Sequence, residues 1–179
     1  MMKFRVRFAA QQLKKGGVIS HPTDTIQGLA CLPKYVFAIE KIIQLKKRSH
    51  AKGLILLSSR ADYLLEFIAD PAQLDKILPS QIPTTYLLKA KPGISEFLTG
   101  NFDTVAVRLT SDPLVDQLCQ ATCSALISTS ANTSGKDTAK SNLDLAKFFA
   151  QELDFSIRPR LYNGQASQII NLETGQRLR

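Results

Sequence analysis

The stretch 128–135, Ser-Thr-Ser-Ala-Asn-Thr-Ser-Gly, follows the apolar run Ala125, Leu126 and Ile127, so a strand-like segment ends in hydroxyls and an amide. Ser128, Ser130 and Asn132, with Thr129, Thr133 and Ser134, supply enough donors and acceptors to hold phosphate oxygens, a ribose or a small carboxylate. The same composition also suits a plain turn after a strand. Upstream, Lys46, Arg48 and Lys52 sit where a helical pattern gives way to a strand, and residues 41–60 contain six basic side chains and no acidic one. Cations at a helix C-terminus complement the helix dipole. Three of them without an acid repel one another unless an anionic ligand supplies the missing charge.

Two further places carry polar chemistry. In Ser-His-Pro-Thr-Asp-Thr, residues 20–25, Pro22 and the later Gly28 mark a shaped loop. Thr23, Asp24 and Thr25 can bind a polar ligand, or Thr23 or Asp24 can cap a short helix. His21 beside a strand reads as a packed or solvent-facing side chain and is given no catalytic role. Arg108, between apolar residues in Val-Ala-Val-Arg-Leu-Thr, either faces solvent from a strand or is held by an anion, because an unpaired buried guanidinium is costly. Neither the P-loop spacing nor a Gly-x-Gly-x-x-Gly fingerprint occurs. No Ser/His/Asp set, catalytic carboxylate pair or acidic metal cluster can be assembled.

The elements that must position these groups are legible in the hydrophobic pattern. Apolar runs of strand length recur at 18–22, 53–59, 84–90, 104–110, 124–130 and 168–172, with helical spacing between several of them. The spacing predicts helices over 35–47, with Val36, Ile39, Ile42 and Ile43 on one face, and over 113–121, where Asp112 caps and Pro113 suits the first turn. Further helices are predicted from the N-terminus to Lys15 and over 142–152, after Ser141. The tail from Phe155 reads as short strands and turns, with a turn at 162–167. The expectation is one α/β domain over 1–179 with a mixed sheet.

Composition sets the outer limits. The 179 residues are 44% hydrophobic and 21% charged, an ordinary globular balance that argues against disorder. No run approaches the roughly 20 apolar residues of a membrane helix, and the N-terminus lacks the apolar core of a signal peptide, so a cytoplasmic protein without membrane contact is expected. Cys31, Cys119 and Cys123 are odd in number and have no His at ligand spacing, which predicts buried small hydrophobes rather than disulfides or zinc. The net charge of +8 attracts polyanions, RNA and ATP alike.

Taken together, these motifs resemble the YrdC/Sua5 family, the threonylcarbamoyl-AMP synthases of tRNA modification, in its short single-domain bacterial form. The stretches His-Pro-Thr-Asp-Thr-Ile-Gln-Gly-Leu-Ala-Cys, Leu-Lys-Lys-Arg-Ser-His-Ala-Lys-Gly-Leu-Ile-Leu-Leu, 98–120, Ser-Thr-Ser-Ala-Asn-Thr-Ser-Gly and 166–179 stand in the family's order. Lys46, Arg48, Ser130 and Asn132 together form the specific part.

The resemblance implies a YrdC-like twisted mixed β-sheet with flanking helices and a basic concave surface. It implies formation of threonylcarbamoyl-AMP and pyrophosphate from L-threonine, bicarbonate and ATP, with Mg2+ carried by ATP and no metal site of the protein's own. Lys46 and Arg48 are then catalytic, with Lys52 beside them on the phosphates. Thr23, Thr25 and Arg108 bind threonine or its carbamate, and Ser128, Ser130, Asn132 and Ser167 bind the nucleotide. Downstream proteins of the t6A pathway are expected partners, and tRNA or another structured RNA is a possible one on the basic surface. The chain departs from the family's common pattern at Ser80, Gln81, Ile82 and Pro83, in place of Trp-Pro-Gly-Pro, and at His21 and Gln27, in place of aromatic residues. The competing readings are a non-catalytic structured-RNA-binding protein of ribosome or rRNA maturation, and a regulatory domain that binds nucleotide without turnover. RNA binding needs distributed charge more than any motif, and no RNP-like aromatic string is present.

Overall fold

The computed structural model describes residues 2–77, 82–162 and 166–179. Eight strands, β1 Ile19–Pro22, β2 Gln27–Cys31, β3 Ile55–Ser58, β4 Thr84–Lys89, β5 Thr104–Leu109, β6 Leu126–Ser130, β7 Phe155–Ser156 and β8 Gln168–Asn171, form one mixed sheet in the order β7-β1-β2-β6-β3-β5-β4-β8. The pairs β1–β7, β3–β5 and β4–β8 are parallel, and the other four are antiparallel. Helices α1 Met2–Lys14, α2 Val36–Lys46, α3 Glu96–Thr99, α4 Pro113–Thr122 and α5 Asn142–Phe149 flank it.

The predicted helices are present, with local reasons for their ends. Asp112 accepts hydrogen bonds from the free N–H groups of Leu114 and Val115, and Ser141 with Asp144 makes a capping box for α5. Two readings change. Val36 is half exposed, so the buried stripe of α2 is Ala38, Ile39, Ile42, Ile43 and Lys46. The segment after Pro22 is a hairpin rather than a loop leading to a helix: β2 pairs antiparallel with β1, and Thr23 N–H bonds to Ile26 O. Gln27 and Gly28 are poor strand formers, and burial within the sheet overrides that preference. Cys31 and Cys119 are buried as expected, whereas Cys123 is exposed because it ends α4 in the left-handed conformation, turned to solvent. Ser80 and Gln81, and Asn163 to Gln165 of the predicted turn, lie outside the described residues.

The two sheet faces are covered differently. On one, α2 packs Ala38, Ile39 and Ile42 over Leu56, Val105, Val107 and Ile127. On the other, α1 and α4 bring Leu13, Val115 and Leu118 onto Ile19, Ala30, Leu57 and Leu126. Each such buried aliphatic side chain stabilises by about 2 kcal/mol. Side chains two residues apart along a strand share a face. Leu57 pairs with Leu126 in the core under α4, and two residues along the same strands Ile55 pairs with Ser128 on the wall of a cavity. The site therefore lies on the stretch of this face where the cover of α1 and α4 gives way.

Candidate functional site

The cavity has a volume of about 460 Å3, within the range of small-molecule sites, roughly 300–1,000 Å3. Thr23, Thr25, Arg48, Lys52, Arg108, Ser128, Ser130 and Ser167 all line it, so residues spread over most of the chain converge on one space.

One end is built by the β1–β2 hairpin and β5. The Thr23 hydroxyl donates to Ile26 O at 2.8 Å and stands 2.9 Å from the Thr25 hydroxyl, which closes the hairpin loop. Arg108 is buried, not solvent-facing. Its guanidinium donates to Asp24 Oδ1 at 2.6 Å and to Thr25 Oγ1 at 3.1 Å, and the second Asp24 oxygen accepts from Thr110 Oγ1 at 3.1 Å. Strand alternation offers Arg108 either face; the Asp24 carboxylate, brought back by the hairpin, makes the buried one tolerable. Arg108 Nε, on the same guanidinium, is buried without a hydrogen-bond partner.

The other end is cationic. The Arg48 guanidinium donates to Gly53 O at 2.8 Å and, through Nε, to Lys52 O at 3.4 Å. Arg179, which sequence reasoning passed over, lines the same cavity and donates to Ser167 O at 2.8 Å and 3.0 Å. Its signal was the final Arg-Leu-Arg of the 166–179 stretch. Among the described residues no carboxylate lies within ion-pair distance of Arg48, Lys52 or Arg179. Burial and then the Arg179 charge hold the Arg48 guanidinium below its ordinary value, which marks an unneutralised pair. Between the two ends runs an apolar wall of Ile55, Leu87, Ala106 and Ile169, with the exposed residue Phe102 also among the lining residues.

Lys46 and Asn132 are not on this wall. Lys46 is buried at the end of α2, and its ammonium donates to Asn132 Oδ1 at 2.8 Å, to Asn132 O at 2.9 Å and to Ser130 O. The Ser130 hydroxyl donates to the same Asn132 Oδ1 at 2.7 Å, and Ser134 N–H returns a bond to Lys46 O at 2.9 Å. Helix α2 can turn away at this point because Lys47 takes the left-handed conformation, with φ 49°, so that Lys46 points inward and Arg48 reaches the cavity. Burial first, and the Arg48 charge second, lower Lys46 to about 8. At neutral pH it remains the ammonium that these oxygens require.

His21, in β1, is fully buried, donates from Nδ1 to Pro22 O at 3.0 Å and leaves Nε2 unpartnered. Burial lowers it from 6.5 to about 4, so the imidazole is neutral when folded. Between those values the unfolded chain binds the extra proton, and stability falls as pH drops through this window. Lowering pH from 7.5 to 5 is expected to cost about 2 kcal/mol through this residue, read as a fall in unfolding free energy that His21→Phe abolishes. An unchanged pH slope in the variant would refute the assignment. Among the described residues no cluster of three or more His, Cys, Asp or Glu side chains could hold a metal ion, and no helix is long and apolar enough to cross a membrane.

Comparison with known proteins adds three findings. Residues 11–179 match the Sua5_yciO_yrdC family model, described as telomere recombination. The chain is 41% identical to a threonylcarbamoyl-AMP synthase of Nitrosococcus oceani over 98% of its own length and 97% of the relative's, and 38% identical to one of Pseudomonas aeruginosa over the same shares, 98% and 97%. Its fold is similar to that of P. abyssi Sua5 complexed with L-threonine, with TM-score 0.84, 24% identity and coverage of 96% of this chain and 52% of that one, so it spans about half of the solved protein.

Proposed function

The chain belongs to the Sua5/YciO/YrdC family, and from that premise we propose that it is a threonylcarbamoyl-AMP synthase, an enzyme that forms threonylcarbamoyl-AMP and pyrophosphate from L-threonine, bicarbonate and ATP for the t6A modification of tRNA. The observation that carries this reading is the division of one cavity into an uncompensated cationic end, at Arg48, Lys52 and Arg179, and a hydroxyl-rich end at Thr23, Thr25 and the Asp24-paired Arg108. The first suits a triphosphate and the second a small amino acid. The apolar wall between them suits a flat base.

The chemistry asks for placement more than for a protein nucleophile. The threonine amine takes up carbon dioxide or bicarbonate to give a carbamate, whose carboxylate attacks the α-phosphorus in line as pyrophosphate leaves. Arg48 and Lys52 neutralise charge on the phosphates, with Arg179 close enough for its charge to act on Arg48. Ser128 and Ser130 offer hydroxyls from the end of β6, and Ser167 does so from the start of β8. Because Asp24 already neutralises Arg108, we assign Arg108 to holding Thr25 toward threonine. Lys46 and Asn132 act from behind Ser130 by fixing its backbone. Mg2+ is part of the ATP substrate in this reading. A cytoplasmic location and downstream t6A proteins as partners follow from the same proposal. Simple RNA binding gives no reason for a partly enclosed cavity with two such different ends.

Pyrophosphate release measured with each substrate omitted in turn tests the assignment. All three are expected to be required, and threonine is expected to exceed valine by about ten-thousandfold in kcat/KM, since a site that hydrogen-bonds a hydroxyl strongly rejects an analogue lacking it. Equal rates with valine would remove the threonine assignment.

A further inference from the structure

The loop that carries Arg48 and Lys52 does not hold its shape alone. It lies on the end of α3 and the turn after it, residues 98–102, and the two backbones are laced together. Lys52 and Gly100 form an antiparallel bridge, Leu54 N–H bonds to Leu98 O at 3.1 Å and Asn101 N–H to Ala51 O at 3.3 Å. The approach is too close for side chains. A Cβ on Gly53 would stand 2.3 Å from Leu98 O, and one on Gly100 would stand 2.3 Å from Ala51 O and 2.6 Å from Gly53 N. Gly100 also has φ 64° and ψ −140°, a region open essentially to glycine. Beside the lacing, the rings of His50 and Phe97 meet at 5.6 Å between centroids.

The carbonyls that hold Arg48 belong to the two residues that lie between the laced positions Ala51 and Leu54. Its guanidinium hangs on Lys52 O and Gly53 O. Movement of the 51–53 backbone away from the turn therefore moves the cationic end of the cavity bodily. The Thr23, Thr25 and Arg108 end hangs on neither carbonyl: Arg108 is held by Asp24 and Thr25 of the β1–β2 hairpin.

We propose that the 98–102 turn is the seat that sets the anion-binding loop, with Gly53 and Gly100 as positioning residues for the phosphate end of the reaction. This rests on the synthase reading for its substrate but on the loop geometry for its mechanism. A residue that is merely structural would weaken both substrates alike. A seat under one end of the cavity separates them.

The test is steady-state pyrophosphate release by full-length Gly100→Ala and Gly53→Ala, varying ATP and threonine separately, with circular dichroism to confirm folding. The apparent KM for ATP is expected to rise about tenfold or more while that for threonine stays within about twofold, as misplacement by a fraction of an ångström degrades only the groups displaced. Should the glycine variants fail to fold, Phe97→Ala, which removes the ring contact and leaves the backbone intact, is expected to raise the ATP KM about threefold with threonine unaffected. Equal rises for both substrates, or no change in a folded variant, would overturn the proposal. If the wild type releases no pyrophosphate, the synthase reading falls by itself. Calorimetry with inorganic pyrophosphate then compares the wild type with the same variants: weaker binding in the variants supports the seat, and equal binding or none to the wild type rejects it.

Discussion

Arg48→Ala is expected to lower kcat/KM for pyrophosphate release by about a hundredfold or more and to leave the fold intact. The reason lies in what surrounds the guanidinium. It stands in the cavity wall without a carboxylate partner, so its charge is available to a phosphate in a partly enclosed site, where one stabilising group is worth about two orders of magnitude in rate. Its contribution to stability is smaller, because the two carbonyls it bonds belong to a loop already laced to the 98–102 turn. Steady-state kinetics beside a melting curve check both halves. A folded variant with wild-type turnover would discard the catalytic role, and an unfolded variant would make Arg48 a structural cation.

Lys46→Met has the opposite emphasis: stability falls first and activity follows. Methionine matches the length of the stem but donates nothing, so Ser130 O and Asn132 O lose the ammonium in a place that water reaches poorly. Stripping donors from buried acceptors costs about 3 kcal/mol in all, or about 10 °C in melting temperature for a chain of this length. The end of β6 then loses its fixed path, and Ser130 with it. Coupling between Lys46→Met and Asn132→Ala, measured in a double-mutant cycle, is expected to exceed about 1 kcal/mol, as for residues in one hydrogen-bond network. Wild-type melting in an inactive Lys46→Met protein would show instead that the ammonium acts on the ligand.

Much of this molecule could be read from the chain because its cues are local. The stripe through Ile39, Ile42 and Ile43 marks α2, Asp112 before Pro113 marks the start of α4, and Ser141 with Asp144 marks that of α5; each depends on residues within a turn of one another. The strand-length apolar runs set β3 to β6 for the same reason. The motif residues stood out by type, and of them Arg48, Lys52, Ser128 and Ser130 line one cavity. Strand β2 escaped because Gln27 and Gly28 have little strand preference of their own and gain it only between β1 and β6.

What the sequence determined by itself was therefore the inventory: the α/β class, the helices and their caps, and the set of polar groups facing some anion. Tertiary structure alone decided where each of them stands. Lys46 and Asn132 carry the most recognisable motif positions, yet they bond each other behind the wall, while Arg179, at the far end of the sequence, stands on it. Arg108 is buried because a hairpin more than eighty residues upstream returns Asp24 to 2.6 Å from it. Burial, pairing and the side of a wall on which a charge lies are properties of contacts between distant segments. No local pattern encodes them, because the same arginine on the same strand is stable facing either way until the carboxylate arrives.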